Sequence, residues 1–182
     1  MAFLKCRLHL LAFWLFIALL PQFSYAAGLE LQEQEIKAGL LYNFIKYTDW
    51  PAEKMSGQAI TVCIFGSDPF DGRLKPMDGR TVNQHEISLR AIHSIADSKD
   101  CHLIYVNGDE KNSWPKLQEF LAGKPVLTIS DFDGFAQSGG MIEFGHKDNH
   151  INAELNKEAL SGASLHVQDR LLKLVTIYSG GR

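Results

Sequence analysis

Few residues of this chain stand in a pattern that could do chemistry. His146 and His150 are close in sequence, but the polar turn between them places them across a hairpin, and a zinc site needs three or four converging ligands. The segment Asp131-Phe132-Asp133-Gly134 lacks the other ligand positions of a calcium loop, which favours a loop with Asx turns. The nucleophile elbow, the phosphate loop, the dinucleotide fingerprint and the zinc-protease motif are missing from the sequence. We therefore expect no catalytic residue, no metal and no cofactor in a protein that is not an enzyme.

The candidate ligand-binding residues follow predicted strands. Gly66, Ser67 and Asp68 come directly after an apolar run, and open α/β sheets bind ligands at the carboxyl ends of their strands. Asp131 follows another such run and completes a candidate ligand cleft. The alternative is a tight strand exit in which Asp68 caps the next turn.

The first 26 residues have the layout of a secretory signal. Lys5 and Arg7 precede an apolar run from Leu8 to Leu20, and Ser24-Tyr25-Ala26 offers small residues for cleavage. This run is too short for a membrane-spanning helix, which needs about 20 residues. A buried N-terminal core helix would not explain the basic start. We expect residues 1–26 to be a cleaved signal peptide and residues 27–182 to form one domain outside the cytoplasm.

The cysteines suit an oxidising compartment. Cys6 would leave with the signal, and the remaining pair, Cys63 and Cys101, favours one disulfide. Closing this loop of 38 residues would stabilise the fold by roughly 3–4 kcal/mol. The alternative is two buried free thiols, each a small hydrophobe. A redox role of the thioredoxin type is not supported, because the sequence has no Cys-x-x-Cys pair.

The charge balance argues against nucleic-acid binding. The chain has 18 Lys+Arg and 21 Asp+Glu, a formal net charge of −3, and no basic run. Nucleic-acid binding depends on neutralising phosphates with basic side chains, so we exclude that class.

The amphipathic pattern predicts an opening helix from Leu31 to Tyr47, ended by Trp50-Pro51. Its buried stripe is expected to hold the apolar residues Ile36, Leu40, Leu41, Phe44 and Ile45. Its polar side is expected to hold Glu33, Gln34, Glu35, Lys37 and Lys46.

Short apolar strands alternate with short helices in the rest of the chain. Strands are predicted at Ile60–Phe65, Ile87–Ile92, Cys101–Val106 and Val126–Ser130, and helices at Asp68–Leu74, Ser113–Leu121, Lys157–Ser161 and Asp169–Tyr178. Met141–Phe144 and Ile151–Leu155 flank a polar turn and predict a hairpin. The predicted fold class is α/β: a single domain with a layered mixed sheet, in which parallel core strands and a C-terminal antiparallel hairpin are flanked by helices.

Several segments form an ordered set along the chain: Ile36–Tyr47 running into Trp50-Pro51, Val62–Gly66 with Asp68-Pro69-Phe70, Asp100–Val106, Leu127–Asp131, Gly139–Ile142 and Asn156–Leu172. In this order they resemble the YfiR-like family of exported bacterial regulators. The resemblance runs from about Ile36 to Tyr178, over nearly all of the chain that follows the predicted signal.

The resemblance implies a periplasmic, non-enzymatic α/β domain that often forms a homodimer. Such a protein binds the periplasmic part of an inner-membrane diguanylate cyclase, or of another sensor protein, and represses it. An outer-membrane lipoprotein can sequester the regulator. Cys63 and Cys101 fall at the positions of the family's redox-sensitive disulfide, whereas the second cysteine pair of some members is missing here.

Two other functions stay open at this stage. The chain could be a periplasmic small-molecule-binding module that feeds a membrane sensor and uses the cleft near Gly66 and Asp131. It could also be a hydrolase with an unrecognised site, in which Ser67 or Asp131 would act.

Overall fold

A computed structural model describes residues 23–57, 59–147 and 150–178, and the side chains from residue 31 onward within these ranges. The predicted signal peptide, residues 1–26, lies almost entirely outside the described residues. The fold lies within the compact unit formed by residues 35–182.

Ten strands and four α-helices make up the described chain. The strands are β1 (Thr48–Asp49), β2 (Ala59–Phe65), β3 (Thr81–Val82), β4 (His85–Ile92), β5 (Leu103–Val106), β6 (Leu127–Ser130), β7 (Ile142–Lys147), β8 (His150–Leu155), β9 (His166–Val167) and β10 (Thr176–Ile177). The helices are α1 (Phe23–Tyr47), α2 (Trp114–Leu121), α3 (Lys157–Gly162) and α4 (Asp169–Leu172).

Eight strands form one mixed sheet in the order β10-β8-β7-β6-β5-β2-β4-β3. The run from β4 through β2, β5 and β6 to β7 is parallel, and β7–β8 and β3–β4 are antiparallel. A separate two-stranded antiparallel sheet joins β1 to β9. The predicted α/β class, the parallel core and the C-terminal hairpin are confirmed. The hairpin's turn residues, Asp148 and Asn149, lie outside the described residues.

The central strands are apolar on both faces because helices cover both. In β5, Leu103 and Tyr105 belong to the cluster that contains α1, whereas Ile104 and Val106 belong to the cluster that contains α2. This alternation follows from the two-residue period of a strand. The side chains of β2 alternate between the same two clusters, so its sequence is an almost continuous apolar run.

Helix α1 ends at Tyr47 as predicted, and Thr48 and Asp49 then enter the small sheet with β9. It differs from its prediction at the other end, where the described helix already includes Phe23, ahead of the predicted start at Leu31, and on one face. Ile36, predicted in the buried stripe, is 44% exposed, whereas Lys37, predicted on the polar side, is only 4% exposed. The predicted stripe is therefore wrong at these two positions.

Two predicted helices are also wrong. Residues 68–74 form turns followed by a 3-10 helix, Lys75–Met77, because the Asp68 carboxylate accepts hydrogen bonds from the amides of Phe70 and Gly72. The predicted helix Asp169–Tyr178 stops at Leu172, and β10 follows as a strand parallel to β8. Leu174, within the predicted helix, is 68% exposed.

Candidate functional site

A disulfide joins Cys63 of β2 to Cys101, which lies just before β5. Their Cα atoms are 6.0 Å apart, and neither residue is exposed. β2 and β5 are neighbouring inner strands of the large sheet, so the bridge does not lie on an edge strand. It therefore holds two core strands together inside the apolar cluster that α2 covers.

The residue after the bridge, His102, is also fixed by its neighbours. Its Nδ1 accepts a hydrogen bond from the Thr61 amide at 3.0 Å, and its Nε2 lies 3.1 Å from the Lys54 carbonyl oxygen, which can only accept. Both contacts together require the neutral ring with its proton on Nε2. Burial lowers the pKa of His102, and the hydrogen bond to the Lys54 carbonyl opposes this effect. His102 thus connects the disulfide to the 3-10 turn at Lys54–Ser56.

The predicted ligand cleft is held together by internal hydrogen bonds. Gly66 has a φ of +96°, and a Cβ there would lie 2.8 Å from Cγ of Glu110. The Asn107 amide donates to the carbonyl oxygen of Ser67 at 2.8 Å and to its hydroxyl oxygen at 3.1 Å. The Asp68 carboxylate is occupied by the two amides of the following turn. These polar groups therefore tie the ends of β2 and β5 to each other.

Asp131, the fourth residue of the predicted cleft, forms an ion pair with Lys37. The Lys37 ammonium lies 2.8 Å from the Asp131 carboxylate, and the two side chains are 5% and 23% exposed. The pair joins α1 to the end of β6 across 94 residues of sequence. A nearly buried ammonium is stabilised by a carboxylate at hydrogen-bond distance, and this ion pair therefore contributes to the packing of α1 on the sheet. A ligand cleft at Gly66, Ser67, Asp68 and Asp131 stays a prediction.

A groove of about 400 Å³ lies between α1 and the segment of residues 73–80. Its floor is apolar and is formed by Ala38, Gly39 and Met77, together with Pro76. Its polar side chains are Glu35, Tyr42, Arg73 and Arg80. We call this feature the α1 groove. An apolar floor with two arginines is typical of a surface that accepts another polypeptide.

The histidines and acids do not assemble into a metal site within the described ranges, where no group of three or more His, Cys, Asp or Glu side chains is placed to hold an ion. His146 and His150 lie on the two strands of the β7–β8 hairpin but are not directly opposite, since His146 pairs with Ile151.

Sequence reasoning missed three features of the site. The buried role of Lys37 depends on a partner 94 residues away, and the locked ring of His102 depends on contacts 41 and 48 residues away. No local pattern reports either contact. The sequence gives one weak indication of the α1 groove. Gly39 interrupts an otherwise strong helix-forming stretch and exposes a gap on the helix surface.

No helix in the described part of the chain is both long enough and apolar enough to cross a membrane.

The fold is similar to that of solved structures of distant sequence. A conserved domain protein from Vibrio cholerae O1 biovar El Tor strain N16961 matches with a TM-score of 0.51 at 9% identity, over 80% of this chain and 60% of that one. The ABC domain from Streptococcus pneumoniae in complex with L-Trp matches with a TM-score of 0.49 at 9% identity, over 82% and 60%. This chain thus spans 60% of the length of each. At such low identity the likeness to the Vibrio protein concerns the fold alone.

The sequence itself matches a family model described as YfiR/HmsC-like over residues 34–176. The match includes α1 from its middle onward, both bridged cysteines, the Lys37–Asp131 pair and every strand of the large sheet up to the start of β10. The chain therefore belongs to the YfiR/HmsC-like family.

Proposed function

We propose that this protein is an exported regulator that binds the periplasmic part of an inner-membrane signalling protein, a diguanylate cyclase, and represses it. The observation that carries the proposal is the family match over residues 34–176, because members of this family are periplasmic regulators and not enzymes. Another membrane sensor in place of the cyclase would leave the contact mechanism unchanged. Export follows from residues 1–26, which we propose are removed as a signal peptide.

The α1 groove is the surface we assign to the partner. Apolar residues on its floor give a partner segment area to bury, and Arg73 and Arg80 favour acidic residues on that segment. Gly39 lies on the exposed side of α1, and no atom lies within 4 Å of the position its Cβ would take. The groove therefore accepts an amphipathic helix with an acidic border, a common mode of peptide recognition.

We propose that the disulfide controls repression by changing the stability of the folded regulator. Because neither cysteine is exposed, a reductant reaches the bridge only after the structure around it opens locally. Reduction then removes a constraint on the core strands, lowers the fraction of folded regulator and relieves repression. This is the sense in which we propose the bridge to be redox-sensitive.

Affinity capture from solubilised inner membranes tests the contact. Gly39→Trp fills the groove and is expected to lose a partner that carries a cyclase or other signalling output, whereas Gly39→Ala, the matched control, is expected to retain it. The reduced regulator is expected to capture less of the partner than the oxidised regulator does. If both variants retain the partner equally, the groove is not the binding surface. If neither capture contains a membrane signalling protein, the proposed function is wrong.

We also propose that the protein forms a homodimer and that an outer-membrane lipoprotein can sequester it. Sedimentation equilibrium measures the first, with twice the chain mass expected at micromolar concentration. Competition between the purified lipoprotein and the cyclase for the captured regulator measures the second, and binding of both at once would contradict sequestration.

A further inference from the structure

A pocket of about 210 Å³ lies between α2 and α3, next to the start of β6. Its lining includes buried apolar side chains from both core clusters, namely Trp114, Leu121, Val126, Met141 and Ala163. The exposed residues of the lining are small: Ala122, Gly123 and Gly162. We call this feature the α2–α3 pocket.

The side chains that α2 contributes to the pocket lie on one face of that helix. Trp114, Gln118 and Leu121 are spaced four and three residues apart, which brings them into one row on a helix surface. The indole N–H of Trp114 donates to the Ser138 hydroxyl oxygen at 3.1 Å, and its ring centroid lies 4.5 Å from that of Phe135. Trp114 is therefore held in place and offers the pocket carbon atoms only.

The polar group available to a ligand is the amide of Gln118, a half-buried residue. This side chain lies against Gly139, another lining residue, because a Cβ on Gly139 would overlap the Gln118 side-chain nitrogen. Within the described ranges the Gln118 amide makes no hydrogen bond to another residue. The other polar lining residue, Thr128, is only 2% exposed, and its hydroxyl oxygen already accepts from the Met141 amide at 3.2 Å.

The charge and the size of the pocket limit its ligand. None of the described residues that line it is charged, and an ion buried without a partner is costly, so a neutral molecule is favoured. An apolar cavity of about 150 Å³ can hold one benzene molecule. A space of about 210 Å³ therefore has room for one ring with a small substituent. Trp114 and Met141 favour an aromatic ring, through ring–ring and sulfur–ring contacts.

We propose that the α2–α3 pocket binds a small neutral phenol, with its ring among Trp114, Leu121 and Met141 and its hydroxyl group hydrogen-bonded to the Gln118 amide. This pocket shares no lining residue with the α1 groove, and the proposal does not depend on the proposed partner. It gives the chain a small-molecule site between two helices.

NMR of carbon-13-labelled methionine methyl groups in the purified full chain, at neutral pH, tests the site. Met141 lines the α2–α3 pocket, Met77 lines the α1 groove, and Met55 lies in the 3-10 turn Lys54–Ser56. Titration with phenol is expected to shift the Met141 resonance until it saturates and to leave those of Met55 and Met77 in place. Benzoate, a charged analogue of similar size, is expected to bind at least about tenfold more weakly.

Three results of this titration would overturn the proposal. They are a Met141 resonance that phenol does not move, a shift confined to Met55 or Met77, and equal affinities for phenol and benzoate.

A variant tests the hydrogen bond separately. Gln118→Leu keeps a similar size but removes the amide, so it is expected to weaken phenol binding about threefold to tenfold and to leave the binding of toluene, which has no hydroxyl group, unchanged or stronger. Gln32→Leu, at an exposed glutamine of α1, is the matched control and should bind phenol as the parent does. Unchanged affinity of Gln118→Leu for phenol, or an equal loss for phenol and toluene, would contradict the assigned hydrogen bond.

Discussion

The double variant Cys63→Ala, Cys101→Ala should lower the melting temperature by a large and calculable amount. The bridge closes a loop of 38 residues, and the chain-entropy relation gives about 4 kcal/mol for a loop of this length at 25 °C. For a domain of 150–250 residues, each kcal/mol shifts the midpoint by about 2–4 °C. The expected fall is therefore about 8–16 °C.

Thermal unfolding followed by circular dichroism, without reductant, measures this shift. Wild-type protein that has been unfolded, reduced and refolded in reductant is the matched control, because it loses the bridge but keeps both sulfur atoms. The control should lie slightly above the double variant, since replacing two buried cysteines by alanine also leaves small voids.

The burial of the bridge adds a kinetic expectation. Reduction of the native protein should be slow and should accelerate with added urea, because the sulfur atoms become accessible only when the structure that buries them opens. A midpoint change below about 2 °C would refute the entropic reasoning. Reduction of the native protein as fast as that of the unfolded chain would refute the assignment of the bridge to the core.

Three further predictions concern the Lys37–Asp131 ion pair, His102 and Gly39. Asp131→Asn should destabilise the protein by about 2–4 kcal/mol in urea unfolding, because it removes a carboxylate that lies 2.8 Å from a nearly buried ammonium, and an unchanged urea midpoint would contradict this. His102 binds a proton more weakly in the folded state than in the unfolded state, so its contribution to stability should be complete above pH of about 6.5 and should decline as the pH falls below that value. A His102→Asn variant should lack this part of the pH dependence, and an identical pH profile would refute the claim. Gly39→Ala should raise stability by about 0.5–1 kcal/mol, since the helix gains propensity and the added methyl group meets open space, and a lower urea midpoint would contradict this.

The local patterns of the sequence predict the sheet well, because the central strands are buried on both faces and carry almost no polar residue. Cys63 and Ile104 illustrate the point, since both belong to short runs in which nearly every side chain is apolar. Predictions fail where a distant contact decides the outcome. The charge of Lys37 predicts an exposed side chain, but its ammonium is buried and forms an ion pair with Asp131 at the end of β6.

The prediction for the C-terminal segment is wrong for a related reason. Leu171 is buried at 1% exposure as its helical spacing predicts, but Thr176 and Ile177 pair with β8 as a strand. A short apolar segment is compatible with either structure, and only the free edge of β8 decides between them.

The central claim is that the protein represses a membrane signalling protein by contact. The most direct test is the rate of cyclic-di-GMP synthesis by the captured cyclase in detergent, measured with increasing amounts of the oxidised regulator. We predict that the Gly39→Ala control lowers the rate to a saturating minimum and that Gly39→Trp leaves it unchanged. A rate that stays constant at every concentration of the Gly39→Ala control, although the two proteins bind each other, would contradict the account.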